Sequence, residues 1–163
     1  MIEIIDINDS RAVRNKNNVL GFYDLVINQK KSEEFVGKFI SPAYIQHNPI
    51  IANGSDALGK FFGKITRERA RARVVVHRII AVGDYVWAHV NFLNLFNDDP
   101  NDTGIAGVDI YKMDADGRAI EGPRPAYRGG IARRGERQRD PPWRTMCARR
   151  MRGIAAGAGL SAR

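Results

Sequence analysis

Two stretches of this chain set groups able to move protons among apolar neighbours. In AYIQHNPII, residues 43–51, the strand-forming Tyr44 and Ile45 lead into Gln46, His47 and Asn48. Pro49 then interrupts any sheet ladder, because it has no N–H to donate. In GIAGVDIYK one carboxylate, Asp109, interrupts an apolar run, where it must be paired, solvated or raised in pKa. Groups of this kind in an apolar, water-poor surround can act as a general base with a tuned pKa and as a hydrogen-bond donor to developing charge. His47 and Asp109 are the acid–base candidates, and Tyr44 can donate through its hydroxyl.

Each candidate has a plainer reading. His47 and Asn48 would also serve merely to satisfy backbone groups before Pro49. Asp109 would equally suit a solvated face, or a salt bridge to a cation such as Arg78. In YVWAHVNFL, alternation places Tyr85, Trp87, His89, Asn91 and Leu93 on one face and Val86, Ala88, Val90 and Phe92 on the other. The first set would line a pocket or a dimer interface. Tyr44, Gln46, Asn48, Trp87 and His89 are thus the binding or orienting candidates, while Trp87 as a core residue and His77 as a surface or interface residue are the plainer alternatives.

The elements that must position these groups follow from periodicity. Asn15–Asn28 places Val19, Phe22, Tyr23, Val26 and Ile27 at helical spacing, with Asn or Asp caps ahead of it. SEEFVGKFI predicts a short second helix with a Ser32 cap and Glu33 and Glu34 in its first turn, ending near Pro42. Ser55 or Asn53 can cap a third helix with the stripe Leu58, Phe61, Phe62 and Ile65. Two β-branched and aromatic runs around Val82-Gly83-Asp84 predict a hairpin, and the scheme repeats at Asp114-Ala115-Asp116-Gly117. The order helix, helix, strand, helix, then four strands in a meander is an α+β layout, with helices against a curved antiparallel sheet.

At 163 residues the chain is long enough for one domain that buries about two-thirds of its unfolded surface. Its single Cys147 excludes an internal disulfide, and no His/Cys cluster has the spacing of a structural zinc site. The N-terminus has no basic region ahead of its apolar residues, and no run approaches the roughly 18 apolar residues of a membrane span. The expectation is a cytoplasmic protein. The net charge of +8 points to nucleic acid only until it is divided. Residues 1–121 hold 15 Lys and Arg against 16 Asp and Glu, whereas residues 122–163 hold 11 Arg against Glu136 and Asp140. RERARAR, residues 67–73, ends a helix, so its charges meet the C-terminal dipole on a solvated face.

NKNNVLGFYDLVINQKKSEEF, the strand YIQHNP, the hairpin RIIAVGDYVWAHVNF and VDIYKMDADGRAIE, in that order and spacing, resemble the SnoaL-like polyketide cyclase group of the nuclear transport factor 2-like superfamily, over about Asn15 to Glu121. The resemblance implies a cone-shaped α+β barrel of a bent antiparallel sheet on three N-terminal helices, around an apolar pocket. It implies a small apolar carbonyl-containing ligand, and base-assisted aldol cyclisation, or the isomerisation of related ketosteroid isomerases, with no cofactor. It also implies a homodimer formed through the open sheet face, with Trp87 or Phe92 as anchor. A non-catalytic ligand-binding or dimerisation module of the same fold is the alternative. Relatives continue the last strand with Glu-His-Trp-Asp, of which only Glu121 is present. The Arg-, Gly- and Pro-rich residues 122–163 have the composition of a frameshifted reading of GC-rich DNA, or of a disordered basic tail binding polyanions weakly. The working domain is expected in residues 1–121, poorly ordered from about Pro123 onward and less stable than its relatives.

Overall fold

Asp9 starts the first helix, its side chain accepting the backbone N–H groups of Arg11 and Ala12 at 3.1 and 3.0 Å. Those hydrogen bonds also hold its carboxyl below the usual range, the Ala12 bond foremost. Helix α1 therefore spans Ser10–Gly21 and begins five residues before the expected Asn15. The cap is thus an Asp ahead of the expected segment, and Asn15 and Asn18 lie inside the helix. They donate their side-chain N–H groups to the carbonyls of Gly83 (2.9 Å) and Gly117 (2.6 Å), pinning both hairpin turns to the helix. Gly83 and Gly117 have φ of +54° and +81°, values that glycine adopts without steric penalty.

The computed structural model describes residues 1–48 and 51–122. They fall within one compact unit. The expectations for the segment from Pro123 onward, for weak polyanion binding there and for Pro49 lie outside the described residues.

Beyond α1 the chain continues as a π-helical segment, Phe22–Asn28, closed by the Gln29 N–H donating to the Asp24 carbonyl at 2.8 Å. Helix α2 spans Ser32–Phe39 and α3 spans Ser55–Glu68. Neither has a side-chain cap: Lys31 and Gly54 occupy the cap positions, correcting the expectation for Ser32, Ser55 and Asn53. Asn53 is engaged elsewhere, its Oδ1 accepting the Gln46 backbone N–H at 2.8 Å.

Six strands form one sheet: β1 (Ile2–Ile5), β2 (Ile40–Ile45), β3 (Arg73–Val82), β4 (Tyr85–Leu93), β5 (Ile105–Met113) and β6 (Ala119–Glu121), in the order β1-β3-β4-β5-β6-β2. The meander from β3 to β6 is antiparallel as expected, and a parallel strand is added at each edge, so the sheet is mixed and not closed. β1 was not anticipated; four residues of IEII carry too short a pattern to show a parallel partner 76 positions away. β2 starts earlier than its pattern predicted and tolerates Pro42 because it is an edge strand. The inner sheet face, with Ile79, Val86, Ala88 and Val90, packs on Phe22, Tyr23, Val26 and Ile27, all buried.

Candidate functional site

Alternation along β5 sends Asp109, Tyr111 and Met113 into the core, while Val108 and Ile110 face outward. Asp109 is only 8% exposed. Its partner is not Arg78 but Tyr23, whose hydroxyl donates to Asp109 Oδ2 at 2.7 Å. The Tyr111 hydroxyl lies 3.5 Å from the same oxygen and 3.2 Å from the Tyr23 hydroxyl. Two phenols thus converge on one carboxylate oxygen, their rings edge to face with centroids 6.2 Å apart.

Tyr23 reaches this position from the π-helical segment, a rare conformation that occurs disproportionately at functional sites. Burial raises the Asp109 carboxyl from 3.8 to about 6, against the downward pull of the Tyr23 and Tyr111 hydrogen bonds. Burial, reinforced by the Asp109 charge, lifts both phenols well above their ordinary value, so they remain donors. A carboxylate titrating near 6 in an apolar surround is matched to accepting a proton at neutral pH.

Tyr44, on β2, joins this group. Its ring is 1% exposed and its hydroxyl pKa is raised by burial and then by the Asp109 charge. Among the described residues the hydroxyl is buried without a hydrogen-bond partner, although Gln46 pulls its pKa the other way. A narrow packing gap, too tight to hold a water molecule, adjoins Tyr111. Val19, Phe22, Phe39, Ile40 and Met113 are among its walls.

The remaining candidates sit elsewhere. His47 is held by Glu121, Nε2 to Oε2 at 3.5 Å, and Glu121 also takes Lys112 Nζ at 3.3 Å. These two partners, His47 foremost, keep the Glu121 carboxyl below its usual range. No hydrogen bond or ion pair among the described residues joins His47 to Asp109, so the two expected acid–base groups form two separate clusters. The Asn48 N–H donates to Gln46 Oε1 at 3.0 Å, folding the end of AYIQHNPII on itself. Trp87 and His89 lie on the outer face of the sheet: Trp87 is 48% exposed, and Val86, Ala88 and Val90 take the core side. Tyr23 was read only as one member of an apolar helical stripe; its polar tip was the one sign of a second role. Among the described residues, no group of three or more His, Cys, Asp or Glu is arranged to hold a metal ion, and no helix is long and apolar enough to cross a membrane.

Removing the Tyr23 hydroxyl tests this arrangement. Tyr23→Phe leaves Asp109 with only the longer Tyr111 contact, so its pKa should rise above about 6, as ¹³C carboxyl titration would show. The loss should cost roughly 1–3 kcal/mol in chemical denaturation.

The family model of the SnoaL-like domain matches residues 19–122. Among solved structures, the chain is similar to a Bacillus cereus protein provisionally described as a polyketide cyclase, with 18% identity, 74% of this chain and 80% of that one covered, and a TM-score of 0.62. It is also similar to a nuclear transport factor 2-like protein of unknown function from Mesorhizobium loti (16% identity, 75% and 95% covered, TM-score 0.56). A SnoaL-like protein from a Jannaschia species, provisionally a polyketide cyclase, gives 18%, 72% and 88% with a TM-score of 0.54. No curated protein matches the sequence. At these identities the structural likeness speaks for the fold alone, but the family match spans well over half of the sequence, and the chain belongs to the SnoaL-like domain family.

Proposed function

We propose that this protein binds a small apolar carbonyl compound next to Asp109 and catalyses cofactor-independent proton transfer at the carbon beside the carbonyl. The observation that carries the reading is the buried Asp109 carboxyl, raised to about 6 and aimed by the Tyr23 and Tyr111 phenols in an apolar surround. Asp109 takes the proton, and the C–H electron pair moves onto the carbonyl oxygen as an enolate, which the buried Tyr44 hydroxyl stabilises by hydrogen bonding. Attack of the enolate carbon on a second carbonyl closes a ring; return of the proton to a different carbon isomerises a double bond. His47, Gln46 and Asn48 follow the strand that carries Tyr44, with His47 held in the separate Glu121 cluster, so in this proposal they face a ligand only at its far end and take no proton. The gap beside Tyr111 has no room even for a water molecule, so ligand entry requires wall residues such as Phe39 and Met113 to swing aside. The working domain in this proposal is residues 1–121, in the cytoplasm.

The test is deuterium exchange at the α-carbon of 2-tetralone in D₂O, followed by proton NMR with the full-length chain. Exchange above the buffer rate supports the proposal. Exchange at the buffer rate for 2-tetralone and for a panel of smaller aryl and alicyclic ketones would overturn it.

A second reading, the dimerisation module, is favoured by the outer sheet face. Cross-strand register puts Ile4, Ile80, Trp87 and Ile110 in one row across four strands, with Val82 and Tyr85 beside it. Most of these side chains are about half exposed, together several hundred Å², approaching the roughly 800 Å² that one partner contributes to a standard interface. A second copy of the chain is the proposed occupant. Trp87→Asp should then weaken self-association at least tenfold in sedimentation velocity; an unchanged association constant would remove Trp87 as its anchor.

A further inference from the structure

On the outer face, Arg78 Nη1 lies 2.9 Å from His89 Nδ1, and the His77 ring packs on the His89 ring with centroids 5.3 Å apart. A guanidinium is always a donor, so this contact requires Nδ1 to be a lone-pair acceptor and His89 to be neutral, with its proton on Nε2. A proton added at Nδ1 would turn a hydrogen bond into an imidazolium set against a guanidinium. We infer that the outer sheet face is a pH-gated association surface, closed by a second copy at neutral pH and released when His89 is protonated. The inference rests on the second reading, that a second copy covers this face.

The charged and titratable groups around His89 do not offset the added charge. From β3 it faces Arg78 and His77, and from β5 the opposite residue is the uncharged Val108. On β1 the residue beside Arg78 is Ile2, and Glu3 is turned to Lys16 at 2.6 Å. Tyr85 and Lys112 lie further along the face, and the carboxylate of Glu121 is already shared between Lys112 and His47. Arg73 stands at the far end of β3, across from Leu93. In an interface each copy would bring its own Arg78–His89 pair, so protonation adds at least two charges next to the two Arg78 guanidiniums already on that face. His47 behaves oppositely: its partner is a carboxylate, so a proton strengthens that contact.

The experiment is sedimentation velocity of the full chain at pH 7.5 and 5.5, with circular dichroism at both to show that the fold persists. His89→Gln keeps an acceptor for Arg78 and cannot be protonated. Wild type should associate at least tenfold more weakly at pH 5.5 than at 7.5, while His89→Gln should associate equally at both. This variant also separates the gate from the titration of Asp109, which lies in the same pH range. Wild-type association that is the same at both pH values, or a His89→Gln protein with the wild-type pH response, would overturn the gate and leave the dimer standing. A monomer at both pH values, in wild type and variant alike, would overturn the dimer and the gate with it.

Discussion

Asp109→Asn is expected to make the protein more stable at neutral pH and to abolish most of its proton-transfer activity. The folded-state carboxyl titrates at about 6 and its ordinary value is 3.8, so the folded state holds this proton more tightly than the unfolded chain. Stability from this group is therefore greatest below pH 4, falls as pH rises to about 6, and is level above that. The difference of about two pH units corresponds to about 3 kcal/mol of strain from the buried charge. Asparagine is neutral throughout and keeps a carbonyl oxygen for the Tyr23 hydroxyl, so the variant loses the charge and little else. Its advantage over wild type should grow from near zero at pH 4 to about 3 kcal/mol at pH 7.5, roughly 10 °C in melting temperature for a domain of this size. The partly exposed Asp9, Asp102 and Glu121, whose carboxyls are lowered, act in the opposite sense in both proteins and cancel in the comparison. Exchange of ketone α-protons should fall by roughly 10²–10⁴-fold. Calorimetry at pH 4.5 and 7.5 checks the first half: a variant less stable than wild type at both values would contradict the raised carboxyl.

Gly122→Ala should be the most damaging single-methyl change in the described residues. A Cβ at position 122 would fall on the Tyr44 hydroxyl and on two carbons of its ring. The ring cannot retreat easily, because it is packed in the core, and the Gly122 backbone is tied to β2 by its N–H donating to the Ile45 carbonyl at 3.1 Å. Overpacking of this kind costs roughly 1–3 kcal/mol and sometimes more. Tyr44→Phe gives the converse result. It removes a buried hydroxyl that has no partner among the described residues, so it should be neutral or stabilising by about 1 kcal/mol, while ligand affinity falls. The double variant should recover part of the Gly122→Ala loss, since the methyl gains the space the hydroxyl leaves. Strictly additive urea-denaturation energies in that cycle would show that the two residues do not compete for one volume.

Much of the fold was legible because it rests on local pattern. The two turns at Gly83 and Gly117 and the inward face of β5 follow from turn chemistry and period-two alternation alone. Alternation along β4 separated Trp87 and His89 from Val86, Ala88 and Val90 correctly but carried no sign of which set faces in. The small apolar set does, because it is the one that fits against the helices. Asp109 was identifiable as a carboxylate needing a partner, but the partner was not, since Tyr23 lies 86 residues away and reaches it from a π-helical turn. His47 and Asp109 looked like one site in the sequence. The shifted register between β2 and β6 takes the residues after Ile45 towards Glu121 instead, and no one-dimensional pattern encodes that shift.

The π-helical segment has a consequence for how this site is inherited. A turn closed by i→i+5 bonds holds one residue more than an α-helical turn closed by i→i+4 bonds. At 3.6 residues per turn, one residue more or less rotates everything beyond it by about 100°. The geometry around Asp109 is thus a matter of length as much as of composition. Deleting one residue between Asp24 and Asn28 would leave Tyr23 in the sequence yet turn Val26 and Ile27 off the core that holds it. Aligned with a relative whose first helix is α-helical throughout, this site would be written as a single-residue gap.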